Sequence, residues 1–325
     1  MVHALPVLRL LRRHLPESEI HWWIDSNLAP LLEADPDLTS IVRFERRRWA
    51  SPVHWPEMLR SVQWLRAQQF DWVIDLQCLA RSATFAWLAN GKLTIGLDEP
   101  REGARGFYDL IIPRAAGPVH AVDRYLAVLP ALGVPVDWNF SWLPERPAVA
   151  EAVKTKWLPD SARRIALQPG ARWLNKRWPI EHFVELVRLL AVQSADTHFL
   201  IMGSSEDRPL GDSLAAAAPE RSLNLAGETS LPEMVECLRR SELLVTNDTG
   251  PMHVAAALGR PVIALFGPTD PRRTGPYGQL ERTLQHSLPC VPCLKSDCRY
   301  ARPLECLNAI SPAMVFGRAR QLLPS

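Results

Sequence analysis

The chain has no uninterrupted apolar run of about 18 residues, the length needed to cross a bilayer. Its most apolar stretch, residues 254–266, is broken by Arg260. A membrane-spanning helix is therefore not expected. The N-terminus also lacks a continuous apolar segment ending in small residues. Instead, VHALPVLRLLRRHLP alternates leucine with arginine, which argues against a secretory signal and for the cytoplasm. An excess of one charge is missing too. The net charge is +2, from 37 Lys and Arg against 35 Asp and Glu. The cations are spread along the chain, so nucleic acid is not an expected partner. No G-x-G-x-x-G follows a candidate strand, which removes the fingerprint of a nicotinamide dehydrogenase. One Asp-x-Asp string exists, Asp35-Pro36-Asp37. It lies between a helix and a strand and reads as a surface turn, not a metal clamp.

At 325 residues the chain exceeds one ordinary domain, and two are expected, each with its own core. Short β-rich runs alternate with amphipathic helical stretches, the pattern of parallel sheets covered by helices. Candidate strands of the first half are 19–25, 40–44, 71–76 and 92–97, with helices over 4–15, 54–68 and 79–90. The first helix places Leu5, Leu8, Leu11 and Leu15 near one face and Arg9, Arg12 and Arg13 nearer the other. A last helix runs from 119 to 132 and closes at Gly133. This half opens with a helix, although a doubly wound domain normally opens with a strand. Residues 134–162 are proline-rich, without sustained apolar period, and read as the link. The second half repeats the pattern, with strands over 164–169, 197–203, 242–248 and 260–267. The expected fold is thus α/β, with two Rossmann-like doubly wound domains, 1–145 and 160–325, facing a central cleft where ligands bind.

Three segments carry chemistry. In LLVTNDTGPMHVAAALG a buried strand runs into Asn247, Asp248, Thr249, Gly250 and Pro251. Asp248 or Thr249 can cap a helix that Pro251 pre-organises. Such a helix N-terminus beside a glycine suits a diphosphate, and His253 adds a donor. A capped helix without ligand uses the same residues. In LQPGARWLNKRWP, Arg172, Lys176 and Arg177 follow a strand end and suit phosphate oxygens, or form a solvated basic loop. In IMGSSEDRP, Glu206 either accepts from ribose hydroxyls or caps the next helix, and capping is the preferred reading.

Cys290, Cys293, Cys298 and Cys306 lie within CVPCLKSDCRYARPLEC. In a reducing cytoplasm, metal or free thiols are expected over disulfides. Cys290 and Cys293 have zinc-knuckle spacing, but the other gaps match no strong template. Plain thiols in a proline-pinned loop are preferred over structural zinc.

Together these segments resemble the ADP-heptose:lipopolysaccharide heptosyltransferases, most closely at NDTGPMH and GPTDP. The resemblance extends to DLQCLARSATFAWLA, HAVDRYLAVLPALG and the cysteine segment, so it covers nearly the whole chain. It implies a GT-B fold, ADP-L-glycero-D-manno-heptose as donor, and inverting transfer to a lipid-A-linked core sugar without catalytic metal or other cofactor. By the same resemblance Thr249, Gly250, Pro251, Met252 and His253 hold the diphosphate, Asp248 the heptose hydroxyls, Lys176 a phosphate and Glu206 the ribose. Arg172 joins Lys176 against the leaving group's charge.

Family members begin with a strand and a loop of the form Ser-x-Gly-Asp-x-x-His-x-x-Pro. Residues 1–6, MVHALP, match only its tail. The aspartate proposed as general base, a role typically contributing about 10²–10⁴-fold, would precede Met1. His3 is a weak substitute. A start assigned too late is the expected explanation, and in-frame coding for Gly-Asp upstream would separate it from a genuine loss. The rival from another class is a catalytically silent nucleotide-sugar binder. A transferase for another sugar nucleotide or acceptor is a third reading. Finally, RFERRRWASPVHW, residues 43–55, suits phosphorylated core sugar or an anionic membrane surface, which a peripheral enzyme with a lipid-linked acceptor would meet. An ordinary loop explains it equally well.

Overall fold

The computed structural model describes residues 1–99, 101–157 and 163–323. The chain divides into two compact units at Pro144/Glu145, with Val2 alone assigned to the second. The last part of the expected link, 158–162, lies outside the described residues.

The first unit contains α1 (Leu5–His14), β1 (His21–Asp25), β2 (Ser40–Phe44), α2 (Trp55–Ala67), β3 (Trp72–Asp75), α3 (Ala80–Leu88), β4 (Leu93–Leu97), β5 (Leu110–Ile112), α4 (Ala121–Leu126) and α5 (Val128–Ala131). All its strand pairs are parallel, but they form two sheets, β2-β1 and β3-β4-β5. Among the described residues β1 and β3 do not pair. Helix α3 packs against the β2-β1 sheet through aromatic side chains. Trp23 of β1 lies 4.8 Å from Phe85 of α3, in an aromatic cluster with Phe44 and Trp49.

Two expectations for this unit need correction. The helix expected over 119–132 is two helices, α4 and α5. Pro130 has no N–H to give the carbonyl of Leu126, and its ring crowds that carbonyl. Asp35-Pro36-Asp37 is not an open surface turn. Asp35 is buried and takes both guanidinium nitrogens of Arg9 at 2.6 Å, while Asp37 takes one at 2.6 Å. Arg9, placed by periodicity nearer the polar face of α1, is correspondingly buried. A charge enters an interior when its partner enters with it.

The second unit contains α6 (Pro147–Trp157), β6 (Arg163–Gln168), α7 (Ile180–Gln193), β7 (Thr197–Ile201), α8 (Arg208–Ala215), β8 (Ser222–Asn224), α9 (Leu231–Arg239), β9 (Leu243–Asn247), α10 (Gly250–Ala257), β10 (Val262–Phe266), α11 (Pro271–Thr274), β11 (Thr283–Gln285), α12 (Glu305–Asn308) and α13 (Pro312–Leu322). Helix α6 lies within the proline-rich stretch read as link. Its PAVAEAVKTKW is made of helix formers and buries only Val153, too little apolar periodicity to register.

The six strands form one parallel sheet in the order β11-β10-β9-β6-β7-β8. Counted from β6, this is the 3-2-1-4-5-6 order of a doubly wound nucleotide-binding sheet, whose ligand site lies beyond the strand carboxyl ends where the order reverses. That reversal falls between β6 and β9. Every residue of β9 and β10 is buried, as a sheet covered on both faces requires. Phe183, Leu186 and Leu190 of α7 fill the core on one side. Short strands β5, β8 and β11 escaped the sequence pattern because three residues cannot establish a period.

Candidate functional site

Three strands deliver the site loops. The loop after β6 carries Arg172 to Trp178, the loop after β9 carries Asp248 and Thr249, and the loop after β10 carries Gly267 to Asp270. Asn247 ties the first two together. It is fully buried, its amide donates to the Pro169 carbonyl at 2.7 Å, and its oxygen accepts from the Trp178 N–H at 3.0 Å. The indole N–H of Trp178 in turn donates to the Ile310 carbonyl at 2.8 Å.

The next residue, Asp248, meets side chains from both neighbouring loops. Its Oδ2 accepts from Lys176 Nζ at 2.6 Å and from the Thr269 hydroxyl at 2.7 Å. Its Oδ1 has no hydrogen bond among the described residues, which leaves one acceptor for a sugar hydroxyl. Lys176 also sits 4.8 Å from the centre of the Trp173 ring. An ammonium has three donors, so Lys176 can keep Asp248 and still reach an incoming anion. Gln285 steadies the third loop by donating to the carbonyls of Gly267 and Thr269 at 3.1 and 2.7 Å.

Helix α10 starts at this point. Thr249 occupies its N-cap position with extended backbone, but no side chain caps the helix. The expected capping by Asp248 or Thr249 therefore does not form. The Asp248 carboxylate is turned to Lys176 and Thr269, and the Thr249 hydroxyl lies 3.2 Å from that of Thr246. The first-turn amides stay uncapped, carrying the helix's partial positive charge. Gly250 faces open space, since a Cβ added there would meet nothing within 4 Å. His253 is half-buried in the first turn. Met252 is fully buried, so a role in this cradle falls to its backbone, not its side chain.

Of the loop cations, Lys176 pairs with Asp248, while Arg177 pairs with Asp207 at 3.5 Å and donates to the Ala171 carbonyl at 2.9 Å. Arg172 is exposed and has no ion pair among the described residues. Glu206 does not cap the helix after β7. In the 3-10 turn that leads into α8 the capping-box acceptor is Asp207, which accepts from the N–H and hydroxyl of Ser204 at 3.0 and 2.8 Å. Gly170 and Gly203 are packed against it, and a Cβ on either would come within 2.8 Å. Glu206 is exposed and makes no hydrogen bond or ion pair among the described residues. His3, in the first unit, stacks edge-on against His120 at 5.2 Å.

The cysteine segment rests behind the third loop. The Leu294 N–H donates to the Pro268 carbonyl, and the Asn175 amide to that of Lys295, both at 2.8 Å. Burial raises the Cys306 thiol pKa, with smaller contributions from Cys298, Cys290 and Cys293. No group of three or more His, Cys, Asp or Glu among the described residues is arranged to hold a metal ion.

An uncapped helix start and a lysine–aspartate pair thus meet at the sheet reversal, an arrangement chemically able to hold an anion. Residues 58–303 match the profile of Glycosyltransferase family 9 (heptosyltransferase). The chain belongs to this family. Its relatives include Lipopolysaccharide heptosyltransferase 1 of Pseudomonas aeruginosa, 32% identical, with 92% of this chain and 84% of that protein covered. Lipopolysaccharide heptosyltransferase 2 of Salmonella typhimurium is 29% identical, over 88% and 84% of the two chains. The solved structure of Escherichia coli ADP-heptose lps heptosyltransferase II superposes with a TM-score of 0.77 at 24% identity, over 99% of this chain and 94% of that one. The family 9 member described here thus has the GT-B fold and is a glycosyltransferase of the heptosyltransferase type. Thr269 and Asp207 were not singled out from the sequence, although Thr269 stands in the GPTDP run and Ser204 and Asp207 have capping-box spacing. The links that Thr269 and Asn247 make reach partners 21 and 78 residues away, which no local pattern displays.

Proposed function

We propose that this family 9 member transfers heptose from ADP-heptose to an inner-core sugar of a lipid-A-linked acceptor, with inversion and without a catalytic metal. The observation that carries the reading is the uncapped start of α10 beside Lys176 and Asp248. The diphosphate lies on the first-turn amides with Lys176 on a phosphate oxygen, the Asp248 Oδ1 accepts from a heptose hydroxyl, and Glu206 accepts from the ribose. An acceptor hydroxyl attacks the anomeric carbon from the face opposite the nucleotide and releases its proton to solvent water. The bond from that carbon to the diphosphate oxygen breaks, and its electron pair leaves on ADP. Negative charge then grows where the amides and Lys176 already point, and one such preorganised donor is typically worth about 3–4 kcal/mol in the transition state. Arg172, exposed on the same loop, adds to that field. Relatives named for lipopolysaccharide heptosyl transfer support the donor and acceptor assignments.

Calorimetric titration with ADP-heptose, ADP, GDP and UDP tests the donor site. Tighter binding of the adenine nucleotides, weakened by Asp248→Ala or His253→Ala, is the expected result. If a folded sample binds UDP or GDP as well as ADP, the donor assignment is overturned. If it binds none of them, the cradle itself is.

A further inference from the structure

On the first unit, the turn after β2 and the start of α2 present apolar side chains that the core does not use. Phe44, Trp49, Val62 and Leu65 point inward and are buried. Val53, Trp55 and Leu59 point outward, at 80%, 51% and 56% exposure. Trp55 and Leu59 are one helical turn apart, so they share a face. Arg48 and His54 reach Glu57 at 2.7 and 3.3 Å, which clips the turn to the first turn of α2 and makes the patch a fixed surface. Arg46, Arg47 and Arg60 flank the patch in the chain, all exposed and none within ion-pair distance of a carboxylate among the described residues, although Arg60 is near enough to Glu57 to help lower its pKa. Over residues 45–60 there are four arginines and two glutamates. One of those glutamates is occupied by Arg48, and the other accepts from Ser26.

We infer that this patch docks the protein on an anionic lipid surface, with Val53, Trp55 and Leu59 entering the headgroup boundary and Arg46, Arg47 and Arg60 binding lipid phosphates. Two features select a bilayer over other occupants. The three unpaired cations match an anionic plane, where each basic residue contributes about 1 kcal/mol. A tryptophan flanked by aliphatic side chains suits the apolar-to-polar boundary that tryptophan occupies at membrane interfaces. No helix among the described residues is long and apolar enough to cross a membrane, so contact of this kind is made from one side. The inference rests on the proposed lipid-linked acceptor only for its biological purpose, because the surface itself requires no nucleotide.

The test is vesicle flotation without donor or acceptor. Wild type should float with phosphatidylethanolamine–phosphatidylglycerol vesicles, less at high salt, and weakly with phosphatidylcholine. The variant with Arg46→Gln, Arg47→Gln and Arg60→Gln should lose about 10²-fold in affinity for anionic vesicles. The variant with Val53→Ser, Trp55→Ser and Leu59→Ser should lose the binding that survives high salt. All substituted positions are exposed, so melting temperature and ADP-heptose titration should match wild type. Failure of wild type to float, or flotation of both variants like wild type, overturns the inference. So does arginine-dependent binding of a water-soluble phosphorylated saccharide without vesicle binding. Failure of the donor titration with intact flotation would strike the proposed function alone.

Discussion

The ammonium of Lys176 lies 2.6 Å from Oδ2 of Asp248, although 72 residues separate them in the chain. Each side chain is largely buried, at 18% and 8% exposure. The pair holds the β6 and β9 loops at a common distance from the start of α10, and Thr269 brings in the β10 loop through the same carboxylate oxygen. The site is therefore preorganised before any ligand arrives.

Removing Thr269's hydroxyl tests that preorganisation. Thr269→Val keeps the shape and deletes the donor at 2.7 Å. ADP-heptose affinity should fall by roughly 5–30-fold, the equivalent of about 1–2 kcal/mol for one charge-assisted hydrogen bond. An unchanged dissociation constant by calorimetry would mean that Thr269 is only a packing residue.

Gly250 separates a ligand cradle from a bare helix start. The space beyond its Cα is open, so Gly250→Leu should leave the melting temperature unchanged or slightly raised, leucine being the better helix former. Nucleotide binding should weaken at least about 10-fold, because the side chain occupies the place proposed for the diphosphate. Retained affinity in the leucine variant would put the diphosphate elsewhere.

Asn247→Ala should damage the scaffold. The Trp178 N–H and the Pro169 carbonyl both lose their partner inside the unit, at a cost of about 2 kcal/mol. For a unit of this size that lowers the melting temperature by about 4–8 °C. Calorimetric melting of the variant checks it.

Asp270 supplies a pH signature. Its carboxylate caps α11 by accepting from the Arg272 N–H at 3.0 Å and also takes the Arg272 guanidinium at 2.8 Å. These bonds, led by the one from the Arg272 side chain, lower its pKa against the opposing effect of burial. A depressed carboxylate contributes stability that is present above the unfolded value, about 3.9, and is lost as pH falls through the folded one. Asparagine keeps the cap but loses the charge that holds the Arg272 guanidinium, so Asp270→Asn should melt slightly lower than wild type at neutral pH. The gap should close as pH drops below about 4. A gap that persists in acid would assign Asp270's contribution to packing.

Much of this was legible along the chain. The eight longer strands of both units, the helices over α1, α2 and α3, and the strand-to-helix turn at Asp248–Pro251 follow from apolar period and from proline and glycine placement. So did the family, carried by NDTGPMH and GPTDP. What periodicity registered poorly was any element whose apolar side is small, such as α6 with Val153 alone, or whose length is three residues, such as β5, β8 and β11. Buried charge misled it as well, since Arg9 and Asp35 look like surface residues until they are seen together.

The sequence by itself determined the local chemistry. It placed a glycine and a proline at a helix start, cations on one strand-end loop and an aspartate on another, and apolar strands able to be covered on both faces. The tertiary structure alone decided who meets whom. It took Asp248 from capping its own helix and gave it to Lys176 and Thr269, made Asp207 the capping-box acceptor after β7 and left Glu206 exposed, and turned Val53, Trp55 and Leu59 outward while Trp49 went into the core. The physical reason is that hydrogen bonds and ion pairs between loops depend on strand order in the sheet. That order, with β6 beside β9, is set by packing and crossover handedness over the whole unit, not by any neighbouring residue.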